Sequence, residues 1–177
     1  IAADLADPHP LLGRLPLHGI IDTARPDPGI SRALEHCRRA KTTYETLGRK
    51  RDVARVLETS ARLEAKRGNI DKAKEAFETA MRMADEVAAL TGLARITAGL
   101  AQVFTESGAP RDALGMLASS IELNLEKGSP IGLAFDERIL GQVEAAIAEM
   151  PERDPAVEEE LARTRARLVS AIEATSL

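Results

Sequence analysis

Residues 61–80 read ARLEAKRGNIDKAKEAFETA, and residues 101–120 read AQVFTESGAPRDALGMLASS. Overlaid at a step of forty, they set Ala61 on Ala101, Gly68 on Gly108, Ala73 on Ala113, Phe77 on Leu117 and Ala80 on Ser120. The register extends in both directions. Ala33, Cys37 and Ala40 stand forty residues before Ala73, Phe77 and Ala80. Ala54, Ala94 and Ala134 form a second ladder at this step, and Val53, Leu93 and Leu133 a third. Leu63 falls on Val103 and Val143, and Ala61 and Ala101 fall on Gly141. No insertion is needed from Gly13 to about Glu144, so the chain is a tandem repeat.

Each unit reads as two helices. Val53, Val56, Leu57, Ser60, Ala61 and Leu63 recur at three- and four-residue steps and stop at Gly68, a helix C-terminus. Ile70 to Val87 continues with Ala73, Ala76, Phe77, Ala80, Met81 and Ala84. The next unit runs from Gly92 to Glu106, stops at Gly108, and restarts at Pro110 through Leu125. Ser129-Pro130 and Asp154-Pro155 are start signals, a capping side chain followed by a proline preset for the first turn. The last helix carries the stripe Val157, Leu161, Leu168, Val169 and Ile172. Near the N-terminus, Pro8, Pro10, Pro16, Pro26 and Pro28 leave room for only a short helix at about 15–24. The expected organisation is an irregular segment 1–14, repeats over 15–150 (about 15–48, 53–88, 93–128 and 130–150), and a capping helix within 151–177. Ala61 with Ala73, and Ala101 with Ala113, are predicted to mark close helix crossings, where only a Cβ fits.

Composition agrees. The 177 residues include 30 alanines, only 2% aromatic residues and no Trp, which favours packed helices over sheets. One Cys excludes an internal disulfide and a multi-cysteine zinc site. A net charge of −4 argues against a bulk nucleic-acid binder, and no apolar run approaches the ~18 residues of a membrane helix. With no secretion-type N-terminus in a chain that begins at Ile1, the cytoplasm is the expected compartment.

The spacing within a unit resembles the tetratricopeptide repeat: a small residue in the first helix, a glycine-ended turn, then Ala, a large apolar residue and Ala in the second. Ala61, Gly68, Ala73, Phe77 and Ala80 fill this pattern, as do Ala101, Gly108, Ala113, Leu117 and Ser120, with Leu100 and Phe104 at favoured apolar positions. The first unit keeps Ala33, Cys37 and Ala40 without the turn glycine. The fourth keeps Leu140 and Gly141, and an insert at about Glu149 to Asp154 breaks the spacing. The family's Trp, Tyr and Pro positions are mostly unfilled. A unit of forty is similar to the long-helix variant of kinesin light chains and of C-terminal sensor halves of bacterial regulatory proteins. The resemblance implies an all-α fold, a right-handed α-α superhelix of about three to four helix pairs, that binds proteins or peptides.

No catalytic constellation stands out. His9 lies in a rigid Asp7-Pro8-His9-Pro10 segment, and His18 with Asp22 supplies only two metal ligands. His36 and Cys37 are adjacent on a helix and point about 100° apart, and Cys37 shares its register with Phe77 and Leu117, so buried packing is its expected role. Gly128-Ser129-Pro130 lacks the strand and Lys of a phosphate loop. The expectation is no enzyme, no cofactor and no metal.

The resemblance places a binding groove on the first helix of each unit, on the face turned from the second. Carried across, those positions are His18, Asp22 and Arg25; Arg55, Glu58, Arg62 and Lys66; Arg95, Gln102 and Glu106; and Arg138 and Gln142. Arg55 and Arg95 hold one repeat position, and arginine forks suit carboxylates. Such residues also form ordinary solvated faces, and Glu58 with Arg62 is a simple i, i+4 pair. The asparagines of the family's carboxylate clamp are absent. The leading reading is a non-catalytic scaffold for a protein or peptide, an acidic one being the candidate, with neither nucleic acid nor membrane as a direct partner. The alternatives are a ligand-sensing domain of a larger regulatory protein and a self-assembling or homodimeric solenoid. With few aromatics, the groove is expected to lack aromatic anchors and to depend on arginine, making binding salt-sensitive.

Overall fold

The computed structural model describes residues 27–152 and 154–175, and these residues are all-α. The helices are α1 (Pro28–Thr46), α2 (Lys50–Lys66), α3 (Ile70–Asp85), α4 (Leu90–Glu106), α5 (Pro110–Glu126), α6 (Pro130–Ala148) and α7 (Pro155–Thr175). From α2 to α6 each begins twenty residues after the one before, so the forty-residue sequence step is two helices and two turns. The short helix expected at 15–24, together with His9, His18, Asp22 and Arg25, lies outside the described residues.

Caps and turns explain the boundaries. Asp27 accepts from the Gly29 N–H and precedes Pro28, and Ser129 accepts from the Gly132 N–H and precedes Pro130. The turns at Gly48, Gly68, Gly108 and Gly128 all have φ between 59° and 81°, the left-handed conformation that glycine adopts without a Cβ clash. The fifth member of this twenty-residue series is Ala88, with φ of 48°. Here α3 ends at Asp85, two residues before the Val87 that periodicity suggests, and the chain turns through a strained alanine.

Consecutive helices pack in pairs. In addition, α2 touches α4 and α4 touches α6, whereas α3 and α5 do not approach each other. The helices α2, α4 and α6 therefore form a close inner row while α1, α3 and α5 are splayed, which makes the inner face concave over this stretch. Ala61, Ala73, Ala101 and Ala113 are fully buried, as are Phe77 and Leu117. Cys37 departs from its register partners by being only half-buried, on α1, the first of the described helices, and burial still pushes its thiol pKa up. The fourth unit also departs from the repeat. α7 packs mainly on α5 and less on α6, and Gly141, in register with Ala61 and Ala101, is exposed.

One glycine inside a helix has a packing reason. A Cβ on Gly99 of α4 would lie 2.7 Å from the Phe77 ring and 3.2 Å from Arg62 Nη2. Glycine costs roughly 1 kcal/mol of helix propensity there, and in return the Phe77 ring packs directly on the α4 backbone. Gly99→Ala is therefore expected to destabilise by about 1–3 kcal/mol in chemical denaturation, since the fully buried ring cannot yield. Ala88→Gly is expected to stabilise by roughly 0.5–1 kcal/mol through relief of the positive φ, and a loss of stability would contradict that origin.

Candidate functional site

The inner row is formed by α2, α4 and α6, which carry the groove positions found among the described residues. Their electrostatics differ from a row of solvated charges. Glu58 is 5% exposed, whereas Arg55, Arg95 and Arg138 are exposed. Arg95 Nε donates to Glu58 Oε1 and Oε2 at 2.7 and 2.8 Å, and Arg95 Nη2 donates to Oε2 at 2.5 Å. Arg62 is the looser partner. It reaches Glu58 Oε1 at 3.4 Å, donates to the Arg95 carbonyl at 3.2 Å, and lies 5.9 Å from the Phe77 ring centroid. The simple i, i+4 pair expected from sequence is thus the weaker part of a bridge joining α2 to α4. A carboxylate this buried requires such donors, because burying a charge without partners is costly. Arg95 is consequently half of an internal bridge that fixes the spacing of successive units.

The remaining positions are distributed along the same face. Gln102 Nε2 donates to Gln142 Oε1 at 3.2 Å, a side-chain contact between equivalent positions of α4 and α6. Lys66, Gln102 and Glu106 line a hollow together with Arg62, Phe77 and Gly99. Arg55 is 3.8 Å from Asp52, a distance at which an exposed pair contributes little. Arg138 lies over the Phe135 ring at 4.7 Å from its centroid.

Phe135 corrects the expectation of a groove without aromatics. It is half-buried and lines a cavity of about 400 Å³ with Ile131, Ala94, Ala98, Arg62 and Lys127. Ile131 is 86% exposed, leaving an apolar side chain open to a partner. The sequence held the signal: Phe135 stands forty residues after Arg95, and Ile131 forty after Thr91. A second cavity of about 430 Å³ lies on the same face, and the two share Glu58, Thr91, Arg95 and Lys127 in their linings.

Behind the face is a polar cluster that periodicity did not indicate. Asp136 is fully buried; Asn124 Nδ2 donates to its Oδ2 at 2.7 Å, and Ser120 Oγ lies 2.7 Å from its Oδ1. Ser120 Oγ is also 3.0 Å from the Ala94 carbonyl, yet a hydroxyl has one proton to give. The hydroxyl therefore donates to the Asp136 carboxyl or to the Ala94 carbonyl, not to both at once. Desolvation raises the Asp136 pKa, opposed by its bonds to Ser120 and Asn124 and by the Lys127 charge. The cluster ties α4, α5 and α6 together through side chains rather than apolar packing. Asn124 fits only because residue 132 is glycine, where a Cβ would sit 2.2 Å from Asn124 Oδ1.

Among the described residues no group of His, Cys, Asp and Glu is arranged to hold a metal ion, and no helix is long and apolar enough to cross a membrane. Residues 52–126, from the first turn of α2 to the end of α5, match the family model described as tetratricopeptide repeat. No curated protein matches the chain.

The Asp136 cluster makes a signed prediction. Because the folded state holds this proton more tightly, its stabilising contribution is fully present below the ordinary carboxyl pKa of 3.8. The contribution is lost as pH rises through the higher folded value. Asp136→Asn, which can donate to Ser120 and accept from Asn124, should abolish this component. Urea melts from pH 3 to 8 should show the variant gaining on the wild type as pH rises, and a variant that falls progressively behind would contradict the assignment.

Proposed function

We propose that this chain, whose residues 52–126 match the tetratricopeptide repeat, is a non-catalytic scaffold that binds a protein or peptide segment along the inner face of α2, α4 and α6. Repeats of this family are typically interaction modules, and the finer reading concerns the chemistry of the partner. The carrying observation is the sequestration of Glu58. With that carboxylate held by Arg95 and Arg62, the groove positions left to a partner are the cations Arg55, Lys66 and Arg138 against the single acid Glu106. Their excess favours an acidic segment, with Gln102 and Gln142 available to its backbone and Ile131 and Phe135 to its apolar side chains.

The bridge also decides how the reading is tested. Reversing Arg95 would set two carboxylates together in a buried place and disturb the fold, so loss of binding in that variant would be ambiguous. Arg55→Glu with Arg138→Glu avoids this, because both side chains are exposed. Immobilised peptide pools rich in Asp and Glu should retain the wild-type chain, and pools of equal apolar content rich in Lys and Arg should not. The double variant should lose about tenfold or more in affinity while its helical circular dichroism and melting temperature stay unchanged. Binding should also weaken as salt is raised. Equal retention of both variants on the acidic pools would reject the basic face as the binding surface.

A further inference from the structure

The 430 Å³ cavity on the inner face has a chemistry of its own. Its volume lies within the ~300–1,000 Å³ typical of small-molecule sites. Ala54, Ala84, Ala88, Leu90 and Ile96 supply an apolar lining. The charged lining residues are four cations, Arg51, Arg55, Arg95 and Lys127, against the single carboxylate of Glu58, an excess of three positive charges in a chain of net −4. Glu58 is already engaged by Arg95. Arg51 has no ion pair among the described residues, and Lys127 Nζ donates to the neutral Asn124 Oδ1 at 2.9 Å. Arg51 and Arg55 lie one turn apart on α2, hence side by side at the cavity edge.

The wall adds an independent observation. The cavity is lined by Ala88, the one residue of the twenty-residue turn series that keeps a Cβ at positive φ. Glycine would relieve that strain, as at the four other turns, but would remove a methyl group from the lining. Strain of this kind persists where a local geometry has a use.

We propose that this cavity binds a small amphipathic organic anion, an aromatic or aliphatic body seated against the alanines and Ile96 with its carboxylate held by Arg51 and Arg55. The site shares Arg55 with the extended peptide surface, but its ligand and its test do not depend on that reading. Apolar contact supplies affinity and the arginine pair supplies discrimination, because a neutral analogue leaves the cations hydrated and unpaired. Arg95 acts as a positioning residue: held by Glu58, it keeps α2 and α4 at the separation that opens the cavity.

The test is calorimetric titration of the full chain at low salt with 2-naphthoate, and with 2-naphthalenemethanol and 2-naphthylmethylammonium as neutral and cationic analogues. Naphthoate should saturate at one equivalent, with both analogues about tenfold or more weaker. Arg51→Ala with Arg55→Ala should weaken naphthoate by about tenfold and leave the neutral analogue unchanged. Thr91→Tyr, at an exposed lining position, should weaken both naphthoate and the neutral analogue by filling the cavity. Because Thr91 is exposed, this variant keeps the test decisive if the arginine pair affects folding. Non-saturating binding, equal affinity for naphthoate and the neutral analogue, or indifference of naphthoate to both variants would overturn the proposal.

Discussion

Close crossing of helices at small residues is the constraint on which the molecule depends. Ala61 on α2 and Ala73 on α3 are fully buried in one apolar cluster, and Ala101 on α4 and Ala113 on α5 occupy the equivalent places one unit later. A methyl at each point lets the axes come near the ~8–10 Å of close packing, and a longer side chain would wedge them apart. Repeating that crossing every forty residues stacks the pairs, and stacking brings α2, α4 and α6 into one inner row. The few large side chains then fill what the alanines leave, most clearly Phe77, whose ring meets the bare backbone at Gly99. Aromatic scarcity thus reflects an interior closed by proximity of helices rather than by bulk.

The inner row, once formed, determines the behaviour of its charges. Glu58 on α2 and Arg95 on α4 face each other because their helices touch, and burial of the carboxylate makes the pairing obligatory in the folded state. This removes two arginines, Arg95 and Arg62, and one acid from the recognition surface and leaves hollows whose linings share the bridge. The same geometry positions Arg62 between Glu58, the Arg95 backbone and the Phe77 ring. Structural and recognition residues are therefore interleaved on one face, and their charges alone do not separate the two roles.

Legibility in the sequence followed the same division. Helix order, turn glycines and buried alanines were all readable, because each obeys a local rule repeated at a fixed step: Gly68 and Gly108 end helices, and Pro110 and Pro130 begin them. The burial of Glu58 was not readable, since it arises from a neighbour thirty-seven residues away across a unit boundary. The Asp136 cluster was hidden for a related reason: Ser120 and Asn124 sit one turn apart on α5, but their partner comes from α6 and depends on the space left by Gly132. Phe135 was discoverable, and the groove positions carried over from the family resemblance passed over it although it shares the register of Arg55 and Arg95. The α7 displacement onto α5 follows the break in spacing at about 149–154, which the sequence marked without indicating where the helix would pack.

The most direct measurement of the central claim, that the inner row is the recognition surface, is hydrogen–deuterium exchange with and without an acidic peptide retained from the pools. Added protection should concentrate on the stretches 51–66, 91–106 and 131–142 that carry the inner-face positions, with little change along α3 and α5. Protection confined to α3 and α5, with the inner row unchanged, would contradict it.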